Sequence, residues 1–310
     1  MQLPFLARLP LSRFEIDRDY LTRDREDLFD ELWADATTRL LPIFQGAALL
    51  DTGDCTLALL PAAALPNIGL RIYLGRSTSA TGAEPVGTPI VAVQLEDAGP
   101  LAEGEWATLR QVGSRLSDRD AGLLTEATAL TNWHASHQFS PRTGEPTVAA
   151  KGGWIRRETV GEGEHFPRTD PAIIVGIMDD ADRMLLGSNA LWESNRYSLL
   201  AGFVEPGESL EAAVVREIFE ESGVHIVDPV YLGSQPWPFP ASLMLGFTAR
   251  VAPGFEGTGI PDGAEILDLR WFSRAELTDA LSEIKLPGRT SIARAIIEEW
   301  YGEEIVDGQR

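Results

Sequence analysis

The residues best placed to do chemistry lie in positions 202–224, GFVEPGESLEAAVVREIFEESGV. Glu217, Glu220 and Glu221 crowd the last turns of an expected helix, where the backbone dipole favours cations over carboxylates. Spaced i,i+3 and i,i+4, they share a face and repel one another. At roughly 5 Å and an effective dielectric of about 20, each such pair costs on the order of 3 kcal/mol when shielded from water, and a few tenths when solvated. A divalent cation removes the conflict, so the spacing points to a bound metal.

The elements that must position these carboxylates are legible around them. Gly202 opens a loop carrying Glu205, Pro206, Gly207 and Glu208, and Ser209 is the expected N-cap, with Glu211 in the favourable first turn. Leu210, Ala213, Val214 and Ile218 keep helical spacing for packing on a sheet, and Gly223 suits the left-handed residue that ends many helices. Arg216 is placed to reach back to Glu205 or Glu208 and clamp the loop to the helix.

A second signature is SQPWPFPASLMLGF at 234–247, whose three prolines and three aromatics suit neither a helix nor a central strand before Ser242. It reads as a stiff loop displaying ring faces. Gln235, Trp237 and Phe239 would form a platform for a flat heterocycle, base stacking on aromatics being worth about 1–3 kcal/mol. A proline-fixed loop whose rings plug a core or a subunit contact is the other reading, and the residues alone leave both open.

Gly202, Glu208, Arg216, Glu217, Glu220, Glu221 and Gly223 stand at the spacing of an unbroken Nudix box, and with the SQPWPFP run the chain resembles the NADH pyrophosphatase family of Nudix hydrolases. FPRTD at 166–170, the apolar PAIIVGIM that follows it, and SIARAIIEEW at 291–300 agree, so the resemblance covers roughly residues 105–302. It implies hydrolysis of the pyrophosphate bond of NADH or NAD+ to a nicotinamide mononucleotide and AMP, with removal of NAD caps from RNA 5′ ends as a second reaction. It also implies Mg2+ or Mn2+, more than one ion per site, held by Glu217, Glu220, Glu221, Glu265 and the backbone carbonyl of Ala201. Glu217, Glu220 and Glu221 are the implied catalytic residues, while Gly202, Glu208, Arg216 and Gly223 are structural. The nucleotide contacts carried over are Phe166, Phe203, the run Gln235, Pro236, Trp237, Pro238, Phe239, Pro240, Ala241 and Ser242, then Ala293 and Arg110. A homodimer is implied, the SQPWPFP loop of one subunit serving its partner's pocket. Competing readings are a Nudix hydrolase for an ADP-sugar or a diadenosine polyphosphate, and a noncatalytic dinucleotide sensor, which has no need of an intact glutamate set.

The departure from the family concerns zinc. Its members carry a ribbon held by two Cys-x2-Cys pairs, whereas this chain has a single cysteine, Cys55, and places Ser140, Thr143, Glu158 and Gly161 where the thiolates would be. Hydroxyls and glycine cannot replace thiolates in a tetrahedral structural site. The expectation is a zinc-free remnant held by packing of Trp154 and by hydrogen bonds. His134 and His137 read as packing or surface histidines.

With 310 residues and 44% hydrophobic content the chain suits two domains, and no apolar run approaches the roughly 18 residues that span a bilayer. The N-terminus lacks a signal-peptide core, one cysteine excludes an internal disulfide, and the implied function places the protein in the cytoplasm. A net charge of -21 argues against membrane or DNA partners and confines any RNA contact to a localised site. The expected fold class is α+β. A C-terminal Nudix α/β/α sandwich with a mixed sheet (167–302) follows a small mixed α/β domain (1–128) and a helix end with a degenerate zinc-ribbon-like linker (129–166), and a tail closes the chain (303–310). Leu123, Leu124, Ala127, Leu130 and Trp133 predict a largely helical stretch over 109–137, and a terminal helix is expected over 291–301.

Overall fold

Residues 170–178, DPAIIVGIM, have apolar side chains for two opposite cores: Ile173, Val175 and Ile177 join one cluster and Ile174 the other. A strand buried on both faces belongs at the centre of a layered sheet. In the computed structural model, which describes residues 4–306 except 52, 54, 83, 194 and 256, strand Asp170–Met178 is that centre. Positions 307–310 of the expected tail lie outside the described residues. The strand pairs in parallel with Ser242–Val251, from Asp170 opposite Ser242 to Met178 opposite Arg250. It also pairs antiparallel with the short strand Leu200–Phe203. The mixed sheet runs in the order Ile226–Trp237, Ser242–Val251, Asp170–Met178, Met184–Asn189 and Ile266–Phe272.

Helix Leu210–Ser222 covers one face through Ala213, Val214 and Ile218, and helix Ile292–Tyr301 covers the other through Ile292 and Ile296. This is the expected α/β/α sandwich. Burying each large aliphatic contributes about 1.5–3 kcal/mol, so the box helix is pinned along one stripe, and its acidic end is set by that packing. Ser209 Oγ accepts from Ala212 N (3.2 Å) at the start, and Gly223 closes the helix with φ 65°. Both caps are those read from the sequence.

The proline-rich run differs from expectation. Strand Ile226–Trp237 continues through Ser234, Gln235 and Pro236, so only 238–241 form a turn. The strand is the outermost of its sheet, where a residue lacking N–H is tolerated.

The molecule divides into two compact units: the chain through Ser12 with Asp170–Pro236 and the chain from Ser242, and then Arg13–Thr169 with Trp237–Ala241. The second unit is built on a seven-stranded sheet whose central members are Arg71–Ser77, Pro89–Leu95 and Arg39–Phe44. Helix Asp118–Ser136 is N-capped by Ser117, whose Oγ accepts from Asp120 N at 3.1 Å. It is separated from the short helix Leu109–Val112, so the helical stretch expected over 109–137 is broken at 113–117. The expected boundary at 128 falls inside the longer helix. Strands Thr147–Ala150, Ile155–Glu158 and Glu164–His165 make the small three-stranded sheet of the ribbon-like segment.

Candidate active site

The box helix brings Glu217 and Glu221, one turn apart, against strand Leu200–Phe203. Glu221 is 5% exposed, takes a hydrogen bond from the Ala201 backbone, and leaves its Oε2 buried with no partner. Burial above all, then the charges of Glu265, Glu217 and Asp262, push its pKa up to about 8. Burial likewise raises Glu217, with Glu220 and Glu265 adding to it and Arg216 opposing. These carboxylates feel one another, and Arg216 opposes the rise at Glu217. An orphaned buried oxygen amid hard anionic donors fits a divalent cation by donor type and charge. No three His, Cys, Asp or Glu side chains among the described residues stand in a ligating array, and Glu217 and Glu220 lean on Arg216 instead.

Glu265 reaches this group through a loop tied to the helix end: Ile260 N donates to Ser222 O (2.8 Å) and Asp262 N to Glu221 O (3.3 Å). Asp262 Oδ1 accepts from the backbone N–H groups of Ala264 (3.2 Å), Glu265 (3.1 Å) and Ile266 (2.7 Å), which hold its carboxyl below the usual range. The Glu265 carbonyl accepts from Ala190 N at 2.8 Å, so its backbone is held from both sides. Asp262 is a site residue that sequence reasoning missed. Its only local signal is the Pro-Asp-Gly turn at 261–263.

Arg216 is the expected clamp, and it chooses Glu208. Its Nε donates to Glu208 Oε2 (3.1 Å), one terminal nitrogen to Phe203 O (3.0 Å), and the other contacts Glu217 (3.0 Å) and Glu220 (2.9 Å). Glu208 in turn accepts from Glu205 N at 2.8 Å, so Glu205 contributes its backbone and not its carboxylate. Gly202 leaves the space that Glu217 fills: a Cβ there would stand 2.0 Å from Glu217 Cδ and displace its carboxylate.

In the second unit, Trp237 and Phe239 meet edge to face at 4.9 Å and 75°. The Arg110 guanidinium lies 3.9 Å from the Phe239 ring centre and 5.2 Å from that of Trp237, and burial lowers its pKa. Asn132, also missed from sequence, secures the turn by donating to Pro238 O (2.9 Å) and Pro240 O (3.4 Å). Gln235, in the first unit, is fully buried: its Oε1 accepts from Leu11 N (3.3 Å) and its Nε2 donates to Thr290 O (3.0 Å). Both ends of that amide are engaged, so Gln235 anchors the strand and presents no free amide. Pro236 is half-buried, Ala241 closes the turn, and Ser242 starts the next strand. Phe166 and Phe203 expose their rings, and Ala293 is buried at the start of the terminal helix with its N–H on Ser291 Oγ at 3.2 Å.

The ribbon-like segment is organised on Glu158, a buried carboxylate receiving hydrogen bonds from Ser140 and from Thr143 Oγ1 (2.9 Å), with His165 Nε2 at 3.4 Å. The two hydroxyls hold its carboxyl below the usual range. Gly163 leaves room for this carboxylate, since a Cβ there would fall 2.4 Å from Glu158 Cδ and displace it. One carboxylate and two hydroxyls do not fit a tetrahedral zinc site, whereas they do make a closed hydrogen-bonded knot. His134 is a packing residue: its Nε2 meets Gly153 O at 2.8 Å, and burial drives its pKa down to about 4. Trp154 Nε1 donates to Tyr73 O at 2.8 Å.

Comparison with known proteins shows two family matches: a NUDIX domain over residues 167–295 and an NADH pyrophosphatase-like rudimentary NUDIX domain over residues 37–133. The chain is 46% identical over 213 residues to the NAD-capped RNA hydrolase NudC of Mycobacterium tuberculosis (strain ATCC 25618 / H37Rv), covering 66% of this chain and 67% of that one. It is 38% identical over 219 residues to the NAD-capped RNA hydrolase NudC of Stutzerimonas stutzeri (strain A1501), covering 71% and 76%. To the NAD-capped RNA hydrolase NUDT12 of Macaca fascicularis it is 37% identical over 201 residues, 60% of this chain and 43% of that one.

Proposed function

The chain belongs to the Nudix hydrolases, in the NADH pyrophosphatase family, and from that premise we propose that it cleaves the pyrophosphate bond of NADH or NAD+ and removes NAD caps from RNA 5′ ends by the same cut. The observation that carries the reading is the buried Glu221, with an unpartnered Oε2, beside Glu217, Glu265 and Asp262. Bound Mg2+ or Mn2+ would neutralise the diphosphate and polarise the attacking water. Glu217, Glu221, Glu265 and the Ala201 carbonyl would hold the ions, with Glu220 at the rim. Glu221 carries a proton at neutral pH in the ion-free chain and must shed it as cations arrive. Arg216 keeps the 203–208 loop and the glutamates in register through Glu208. Water adds to one phosphorus, the bridging oxygen leaves with the other phosphate, and a glutamate of the 220–221 pair takes the water's proton, giving a nicotinamide mononucleotide and AMP.

Trp237, Phe239 and Arg110 supply ring faces and a cation for the nucleotide, with Phe166 and Phe203 as further exposed rings. In a homodimer, the arrangement the family resemblance implies, that turn would serve the partner's pocket. Among the described residues no helix is long and apolar enough to cross a membrane. We propose a cytoplasmic location, a reading supported by the proposed dinucleotide substrate. We further propose that the ribbon-like segment carries no zinc.

Incubation with NADH and Mg2+ or Mn2+, followed by chromatography and mass spectrometry, should yield equimolar reduced nicotinamide mononucleotide and AMP, with no product in EDTA. Faster turnover of ADP-ribose or diadenosine polyphosphates than of any NAD form would reject the substrate assignment. Trp237→Ala is expected to raise KM for NADH about tenfold with a smaller change in kcat, as loss of one stacking partner should. An unchanged KM would remove the ring from the binding surface.

A further inference from the structure

In a chain of net charge -21, one cavity of about 540 Å3 in the second unit is lined by five cations, Arg23, Arg25, Arg71, Lys151 and Arg157, against two carboxylates, Asp24 and Glu26. Three of the cations are spoken for. Lys151 and Arg157 share Glu164 (3.3 and 2.9 Å), and Arg25 pairs with Glu31 and Asp27. Arg23 and Arg71 differ: the Nε of each is buried with no hydrogen-bond partner, and the carboxylates that act on them, chiefly Glu126 on Arg23 and Asp30 on Arg71, do so through space.

Both guanidinium groups are nonetheless held in place. Arg23 lies 3.5 Å from the Trp154 ring centre and Arg71 4.5 Å from that of Phe29. Trp154 is itself tied to Tyr73 O, Arg23 donates to Arg18 O (2.7 Å), and Arg71 donates to Asn67 O (3.3 Å). Stacking on a ring fixes the plane of a guanidinium while leaving its edge donors for oxyanions. Gly152 and Gly153, with φ of 61° and 86°, carry the backbone through this wall, and a Cβ on Gly153 would stand 2.6 Å from Arg71 O. Two oriented, half-buried cations, each with N–H groups that no protein acceptor takes up, suit a doubly charged oxyanion.

We propose that this cavity is a second ligand site, for a compact phosphate-bearing anion of the diphosphate class, gripped by the edges of Arg23 and Arg71 with Lys151 and Arg157 adding attraction. One phosphoryl group per guanidinium matches two forks whose N–H groups are only partly used, by Arg18 O on Arg23 and by the carbonyl and Oδ1 of Asn67 on Arg71. The carboxylates of Asp24 and Glu26 in the lining, and the acidity of the whole chain, disfavour an extended nucleic-acid backbone.

Calorimetric titration of inorganic diphosphate into the full chain tests this, with EDTA present so that cation-dependent binding at Glu217 and Glu221 is suppressed. One saturable site per chain is expected, weakened at least about tenfold by Arg23→Gln or Arg71→Gln, eroded by salt, and unchanged by Glu221→Gln. Lys151→Ala, at a partly exposed position, should weaken it several-fold, and it keeps the test open if the arginine variants fail to fold. No saturable binding, binding indifferent to these substitutions, or binding lost with Glu221→Gln would each overturn the proposal. A 5′-phosphorylated oligoribonucleotide that bound more than tenfold tighter, with the same residue dependence, would overturn it in favour of an RNA site.

Discussion

Glu221→Gln is expected to leave the fold intact and to lower turnover of NADH by about a thousandfold or more at saturating Mg2+ or Mn2+. The substitution keeps the volume and the acceptor for the Ala201 backbone, and it removes only the ionisable oxygen that has no partner. Its effect on stability has a defined sign. A carboxyl raised to about 8 in the folded chain favours folding fully below its unfolded value of roughly 4.3, and that contribution is lost as pH rises through about 8. The ion-free protein should therefore weaken from about pH 5 to pH 9, whereas the glutamine variant, which keeps only the raised Glu217, should weaken much less. By pH 9 in EDTA the variant should be the more stable by on the order of 3 kcal/mol, after discounting for solvent screening of a site near the surface. At pH 5 the gap should nearly close. Urea unfolding at both pH values and steady-state kinetics at pH 7.5 provide the readouts. Turnover within tenfold of the parent would remove Glu221 from the reaction, and a variant less stable at pH 9 would contradict the electrostatic account.

Gly202→Ala should lower kcat/KM about a hundredfold while the protein still folds, because misplacing by about an ångström the carboxylate proposed to hold metal has that order of effect. The added methyl would sit 2.0 Å from Glu217 Cδ, and the group that must yield is the end of a flexible side chain and not backbone. Circular dichroism should thus be unchanged, while the Mn2+ concentration for half-maximal rate rises about tenfold and excess Mn2+ restores part of the loss. Activity within twofold of the parent at low Mn2+ would mean that Glu217 does not need the space that Gly202 leaves.

Elements decided by near neighbours in the chain were open to reading. The box helix follows from Leu210, Ala213, Val214 and Ile218, its ends from Ser209 and Gly223, and its acidic face from Glu217 with Glu220 and Glu221 three and four residues on, all interactions of near neighbours in the chain. The Arg216 clamp was half legible. Either Glu205 or Glu208 lies within reach, and only the loop's path selects Glu208. Pro236 misled, since a proline is a local signal against strand, while an edge position that spares it an N–H is a property of the whole sheet.

Sequence by itself thus determined the family, the sandwich and the acidic helix face, because periodicity and a long spaced motif are written in consecutive residues. Tertiary structure alone decided that the 260–266 loop ties Asp262 and Glu265 to the end of that helix, and that Asn132 braces the carbonyls of Pro238 and Pro240. It alone placed Leu11 against Gln235 and made Glu158 the acceptor for the Ser140 and Thr143 hydroxyls. The reason is common to all of them. Each is a hydrogen bond made across the fold to one of many chemically equivalent backbone groups or hydroxyls, and nothing in a linear sequence ranks those partners until packing has excluded the rest.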